Sequence, residues 1–198
     1  MKKLICLIII TILIITGCTA EKDATNSIFK VVPSKLFEGD TKKLEPHLDM
    51  ITGCIEVEYK GNKESFGLKY EIWEEGKFIE SNNVISTKIK DDKFDGEVNI
   101  SLKDILDTNL EKSDLMIMKT VISDNSGYVA STKHIDRFDK EFGYGPIELQ
   151  KEVNATENEE VTVWGLTANK DSYSTGGKDI EDEVKNASWG LILKIYLK

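Results

Sequence analysis

The chain has 198 residues, 31% charged and 40% hydrophobic, the balance of one folded domain rather than of a disordered, collagen-like or multi-span membrane chain. Lysine and arginine total 26 against 35 aspartates and glutamates. The formal charge of −9 argues against an exposed nucleic-acid binder, because phosphate contacts need a basic surface.

The first eighteen residues carry an address. Met1-Lys2-Lys3 is a short basic start, residues 4–15 are apolar except for Thr11, and Thr16-Gly17 ends the run with small residues ahead of Cys18. This is the layout of a secretory signal peptide, and the apolar run is shorter than the ~20 residues that span a bilayer. Ile15-Thr16-Gly17-Cys18 resembles the lipobox of bacterial lipoproteins, and the Lys-, Ile- and Asn-rich chain as a whole resembles the small surface lipoproteins of Gram-positive bacteria. The resemblance implies cleavage before Cys18 and a diacylglycerol, the palmitate-type anchor of such proteins, on its thiol. It also implies a cell-membrane location on the extracellular face. Two acyl chains anchor stably, since each buried CH₂ contributes ~0.8 kcal/mol.

On this reading residues 1–17 are the signal peptide, 18–45 the lipidated N-terminus and tether, and 46–198 the folded domain. Cys6 leaves with the signal and Cys18 carries lipid, so Cys54 has no disulfide partner, and C-x-x-C redox chemistry is excluded. The tetrapeptide Ile51-Thr52-Gly53-Cys54 repeats the lipobox pattern, but polar residues precede it and it is read as coincidence. Loss of Lys2 and Lys3 makes the mature chain still more acidic, so an anionic membrane repels it over about a Debye length, ~8 Å at physiological salt.

In chain order, residues 29–32 read as an edge strand or loose cover ended by Pro33. Ile51, Gly53, Ile55, Val57 and Tyr59 then alternate with polar residues, and Phe66, Leu68, Tyr70 and Ile72 form a second stripe opposed by Lys69, Glu71 and Trp73. Strands are expected at 78–79 and 84–89, a turn at Asp95-Gly96, and another strand through Val98, Ile100 and Leu102. Leu102, Ile105, Leu106 and Leu110 have the spacing of a short helix. Residues 115–122, apolar on both faces over most of their length, predict a central strand. A tight turn at 124–127 leads into a strand over 128–135, and 143–146 reads as a turn. Strands at 161–166 and 189–197 follow, separated by a short helix over 179–187 with acidic residues at its start. The pattern is all-β: a two-sheet antiparallel sandwich, immunoglobulin-like or C2-like, with one or two short helices.

Candidate chemistry is sparse. Asp91, Asp92 and Asp95 form one acidic loop, and Asp171, Asp179, Glu181, Asp182 and Glu183 a second, the residue types calcium takes as ligands. The first fails as an EF-hand, because Lys93 and Leu102 occupy positions that need oxygen ligands. The alternative is two solvated acidic loops. His47 and His134 lie in no catalytic motif, and Gly176-Gly177-Lys178 lacks phosphate-loop spacing and reads as a mobile loop. Cys54 reads as a small filler whose neighbouring glutamates weaken it as a thiolate.

Trp73, with Tyr128 or Tyr144, is the candidate ligand-binding set if its face of the strand meets solvent; the alternative is that a loop folds over the indole. The leading expectation is a non-enzymatic extracellular binding or scaffolding module. It needs no cofactor, and its partners are the membrane, through Cys18, and an extracellular protein or glycan. A cell-wall glycan-acting enzyme or accessory requires an exposed Trp73. A calcium-dependent adhesion or sensing module requires the acidic loops at one end of the sandwich.

Overall fold

Alternation of apolar and polar residues resolves into two antiparallel sheets in the computed structural model, which describes residues 28–171 and 179–198. The first sheet contains β1 (Ile28–Ser34), β2 (Ile51–Lys60), β5 (Lys93–Leu106), β6 (Lys112–Asp124), β7 (Gly127–Asp136) and β9 (Val153–Asn154), ordered β7-β6-β5-β2-β1-β9. The second contains β3 (Ser65–Glu74), β4 (Lys77–Lys88), β8 (Gly143–Glu148), β10 (Val161–Asn169) and β11 (Trp189–Leu197), ordered β4-β3-β11-β10-β8. Two short helices complete the described elements: α1 (Glu45–Leu48), preceded by a 3₁₀ turn at Gly39–Lys43, and α2 (Ile180–Lys185). Neither is long and apolar enough to cross a membrane.

The core lies between the sheets, where every second side chain points inward. Ile55, Val57 and Tyr59 of β2 and Phe66, Leu68, Tyr70 and Ile72 of β3 are all buried. Phe66 stacks on Phe94 of the opposite sheet with ring centroids 4.9 Å apart. The indole of Trp164 in the second sheet packs against Gly53 of the first, where a Cβ would lie 2.3 Å from it. The glycine of the repeated Ile51-Thr52-Gly53-Cys54 motif is therefore a seat for a tryptophan.

Several expectations are corrected. Residues 28–34 are neither tether nor edge: β1 lies between β2 and β9 with Phe29 and Val31 buried, so the sandwich begins by Ile28 and not at 46. Asp95 and Gly96 lie inside β5, and the turn is earlier, at Asp91-Asp92, between the bridged Lys90 and Lys93. Residues 102–106 continue β5 as strand, because Leu102 fills the inter-sheet core and its pairing with Met118 outweighs the helical spacing. Residues 143–148 are strand β8 and not a turn. The strand through 115–122 is second from an edge, and Leu115 is exposed. The fully covered central strand is β11, eight of whose nine residues are buried.

The hairpins sort the turns into two ends. Ile28 pairs with Lys60, Gly61 N–H donates to Asp92 O at 2.9 Å, and Ser65 N–H donates to Lys198 O at 2.8 Å, so the start of β1, the Asp91-Asp92 turn and Lys198 share one end. The β6–β7 turn joins them there, since Asp124 pairs with Gly96 near the start of β5. Helix α1, the Glu75-Gly76 turn and the β5–β6 turn occupy the other end.

Candidate functional site

The outer face of the second sheet carries a third layer. Asp179 caps α2, its Oδ1 accepting from Asp182 N–H at 2.9 Å. Ile180 and Val184 then point down onto Ile192 of β11, with Trp73, Ile147 and Leu149 around them. Two glycines make room: a Cβ at Gly165 would lie 2.7 Å from Ile180, and one at Gly190 would lie 2.4 Å from Val184. Without side chains at these strand positions the helix approaches the sheet backbone directly.

Beneath and beside α2 lies a network of charges. Glu71, only 7% exposed, accepts from Trp73 Nε1 at 3.2 Å and pairs with Lys69 at 3.5 Å and Lys194 at 3.2 Å. Lys194 also reaches Glu181 at 3.0 Å, and Lys69 pairs with Glu160. Glu181 takes further hydrogen bonds from Lys185 and Thr162, both at 2.6 Å. Burial works against its charged form, but the bonds from Lys185, Thr162 and Lys194 prevail and hold the Glu181 carboxyl at about 2. Burial likewise opposes the Lys194 ammonium, and Glu181 and Glu71 together raise it above its ordinary value. A general acid or base needs its proton affinity brought toward the working pH. Glu181 is driven away from it, and its bonds to Lys194 and Thr162 fasten the helix to the sheet.

Alongside α2 runs an open groove of about 760 Å³, bounded by the helix, β10 and the segment 147–155. Its floor includes Ile147, Leu149, Val153 and Ile180, and its walls carry seven carboxylates against the two ammonium groups of Lys151 and Lys185. Glu160 and Glu181 belong to the network, but Glu148, Asp182 and Glu183 pair with no cation among the described residues. A second depression of about 570 Å³ shares Ile147, Glu148, Gln150 and Glu183 with the groove and continues it along β8 to Gly143.

The structure does not gather the sequence candidates into one site. Trp73 is half-buried on the outer face, with the Lys185 ammonium 4.8 Å from its ring centre and the edge of Phe78 at 5.5 Å. It is a wall of the helix seat and not an open platform. Tyr144 packs on Phe138 at 5.1 Å on β8, and Tyr128, 76% exposed, stands at the opposite end of the sandwich beside the β6–β7 turn. The acidic loops are likewise apart. Asp91 and Asp92 form the tip of one hairpin, Asp95 pairs with Glu58 in β5, and Asp179 and Asp182 belong to the first turn of α2. Among the described residues no three His, Cys, Asp or Glu side chains converge as a metal set.

Cys54 lies on the outer face of β2. Burial pushes its thiol up to about 11 despite a hydrogen bond with Ser34, and Glu97 and Glu56 add to the rise. Cys18, and the loop containing Gly176-Gly177-Lys178, lie outside the described residues.

Glu71, Lys194, Gly165 and Gly190 carry this region and were not singled out from the sequence. Part of their signal is nonetheless present: Lys194 is the lone charge in β11, and Gly165 and Gly190 interrupt strands rich in apolar residues. Compared with protein-family profiles, with curated proteins and with solved structures, the chain matches none.

Proposed function

We propose that this chain is a lipid-anchored binding module displayed on the outer face of a bacterial membrane, held by a diacylglycerol on Cys18 and acting without catalysis. The observation that supports binding is the groove beside α2, whose apolar floor and unpaired carboxylates are supported by a rigid sheet and a pinned helix. The anchor rests on the Ile15-Thr16-Gly17-Cys18 sequence.

The test is expression of the full chain in bacteria fed an alkynyl fatty acid, followed by detergent phase separation. The wild-type chain takes up label and enters the detergent phase; Cys18→Ala takes none and stays in the aqueous phase. An unlabelled wild-type chain overturns the anchor. Release of reducing ends from cell-wall glycan, lost on Glu71→Gln, overturns the non-enzymatic reading.

A further inference from the structure

We infer that the groove beside α2 takes an extended cationic peptide segment bearing alternate apolar side chains; this rests on the binding-module reading and names its partner. Three features of the trough select that ligand.

Length comes first. The smaller depression follows β8, whose six residues at ~3.3 Å each make a run of ~20 Å, and it opens at Ile147 and Glu148 into the groove, so the pair accommodates about six extended residues. A metal ion or a small amine leaves most of that length empty.

The floor is the second feature. Ile147, Leu149, Val153 and Ile180 offer apolar surface that a purely polar chain does not fill. An extended peptide puts successive side chains on opposite faces, so alternate apolar residues meet this floor while the intervening ones meet the walls.

Charge is the third. Glu148, Asp182 and Glu183 stand on the walls with no cationic partner among the described residues, whereas Glu160 and Glu181 are already paired by Lys69, Lys185 and Lys194. Electrostatic complementarity of this kind steers a cationic partner in and rejects an anionic one. Pro146 bears on the mode of binding as well. It sits in β8, the edge strand of its sheet, and has no N–H, so β8 is a poor template for adding a strand. Recognition is therefore by side chains lying across the trough.

The experiment uses the mature chain from residue 18, carrying Cys18→Ser to keep it lipid-free, and dye-labelled octapeptides read by fluorescence anisotropy. An alternating Lys-Leu peptide binds. Its Lys-Ser and Glu-Leu counterparts bind at least tenfold more weakly, and spermidine does not displace it at equal concentration. The double variant Glu148→Lys, Glu183→Lys weakens the Lys-Leu peptide at least tenfold. Glu56→Lys with Glu97→Lys, the same charge change on the exposed face of the other sheet, alters affinity less than twofold. Unchanged melting temperatures confirm that both variants fold.

Equal binding of the Lys-Ser or Glu-Leu peptide overturns the inference, as do equal losses in the two double variants or no binding at all. Failure here with successful fatty-acid labelling and no glycan cleavage leaves the module without this ligand. Failure of labelling, or glycan cleavage, removes the reading beneath it.

Discussion

The single arginine of the chain, Arg137, is among its most constrained side chains. Only 1% of its side chain is exposed; Nε donates to Asp104 Oδ1 at 2.9 Å and Nη1 to Phe138 O at 2.8 Å. Burial raises the Asp104 carboxyl, but Arg137 and Lys112 outweigh it and leave it below the ordinary value. Removing one member of a buried pair strands the other, at a cost of about 3 kcal/mol or more. We therefore expect Asp104→Ala to lose about that much in urea unfolding, against less than about 0.5 kcal/mol for Glu56→Ala on the exposed outer face of β2. Equal losses would contradict the assignment. Glu181 gives a prediction in pH. Its folded value, about 2, lies below its ordinary value of 4.5, so its contribution is present above pH 4.5 and is lost as pH falls toward 2. The side chain is one-third exposed, so solvent screening reduces the gain. Melting temperature measured from pH 6 to pH 2 should fall less steeply in Glu181→Gln than in the wild-type chain. Parallel curves would mean that the lysines around Glu181 contribute no linkage.

At the scale of elements, the decisive device is a helix resting on glycines. In Gly190→Ala the new Cβ would lie 2.4 Å from Val184 Cγ1 and 2.8 Å from its carbonyl, so α2 must lift. Overpacking of this kind costs about 1–3 kcal/mol, and the variant should show both a lower melting point and faster proteolysis within 180–185. Unchanged proteolysis would place the strain in the sheet instead. The Asp91-Asp92 turn gives the opposite sign. Both residues have left-handed φ, +53° and +55°, where aspartate is tolerated and Asn-Gly is favoured. Asp91→Asn with Asp92→Gly should raise stability by up to about 1 kcal/mol by thermal unfolding, because glycine takes left-handed φ without the steric cost that a Cβ carries. A decrease would show that the two carboxylates contribute to the turn.

These cases mark what the sequence makes legible. Period two identifies the inward stripes of β2, β3 and β11, and Asp179 with the acidic residues after it identifies α2. Strict period two puts Trp164 on the face opposite Val161 and Val163. A bulge between Thr162 and Trp164 shifts the parity, so all three are buried. The groove was not legible, because its floor and walls come from segments 147–155, 159–162 and 179–185, brought together only by the order β11-β10-β8 and the glycine seat.

For the whole molecule, the proposed anchor and the two ends of the sandwich together predict an orientation. On the proposed reading the lipid is on Cys18 and the described fold starts at Ile28, ten residues later, a contour of at most ~35 Å. Ile28 lies at the end that carries the Asp91-Asp92 and β6–β7 turns, so on that reading we expect this end to face the membrane and the β5–β6 turn to face away. Strand β6 separates the two hairpin tips by thirteen residues, ~40 Å at strand rise. The chain's charge, −9 before Lys2 and Lys3 are lost with the signal peptide and more negative after, resists lying flat on anionic lipid, although salt confines that repulsion to within ~8 Å of the surface at physiological strength. The check is energy transfer from a dye at Asn125→Cys or at Thr108→Cys, each in a Cys54→Ser background, to acceptor lipids in vesicles carrying the acylated chain. We expect clearly stronger transfer from position 125, preserved when anionic lipid is replaced by neutral lipid. Equal transfer from both positions would mean that the sandwich lies along the bilayer, and stronger transfer from 108 would mean that it stands inverted. Either result would break the link between the start of β1 and the membrane-facing end.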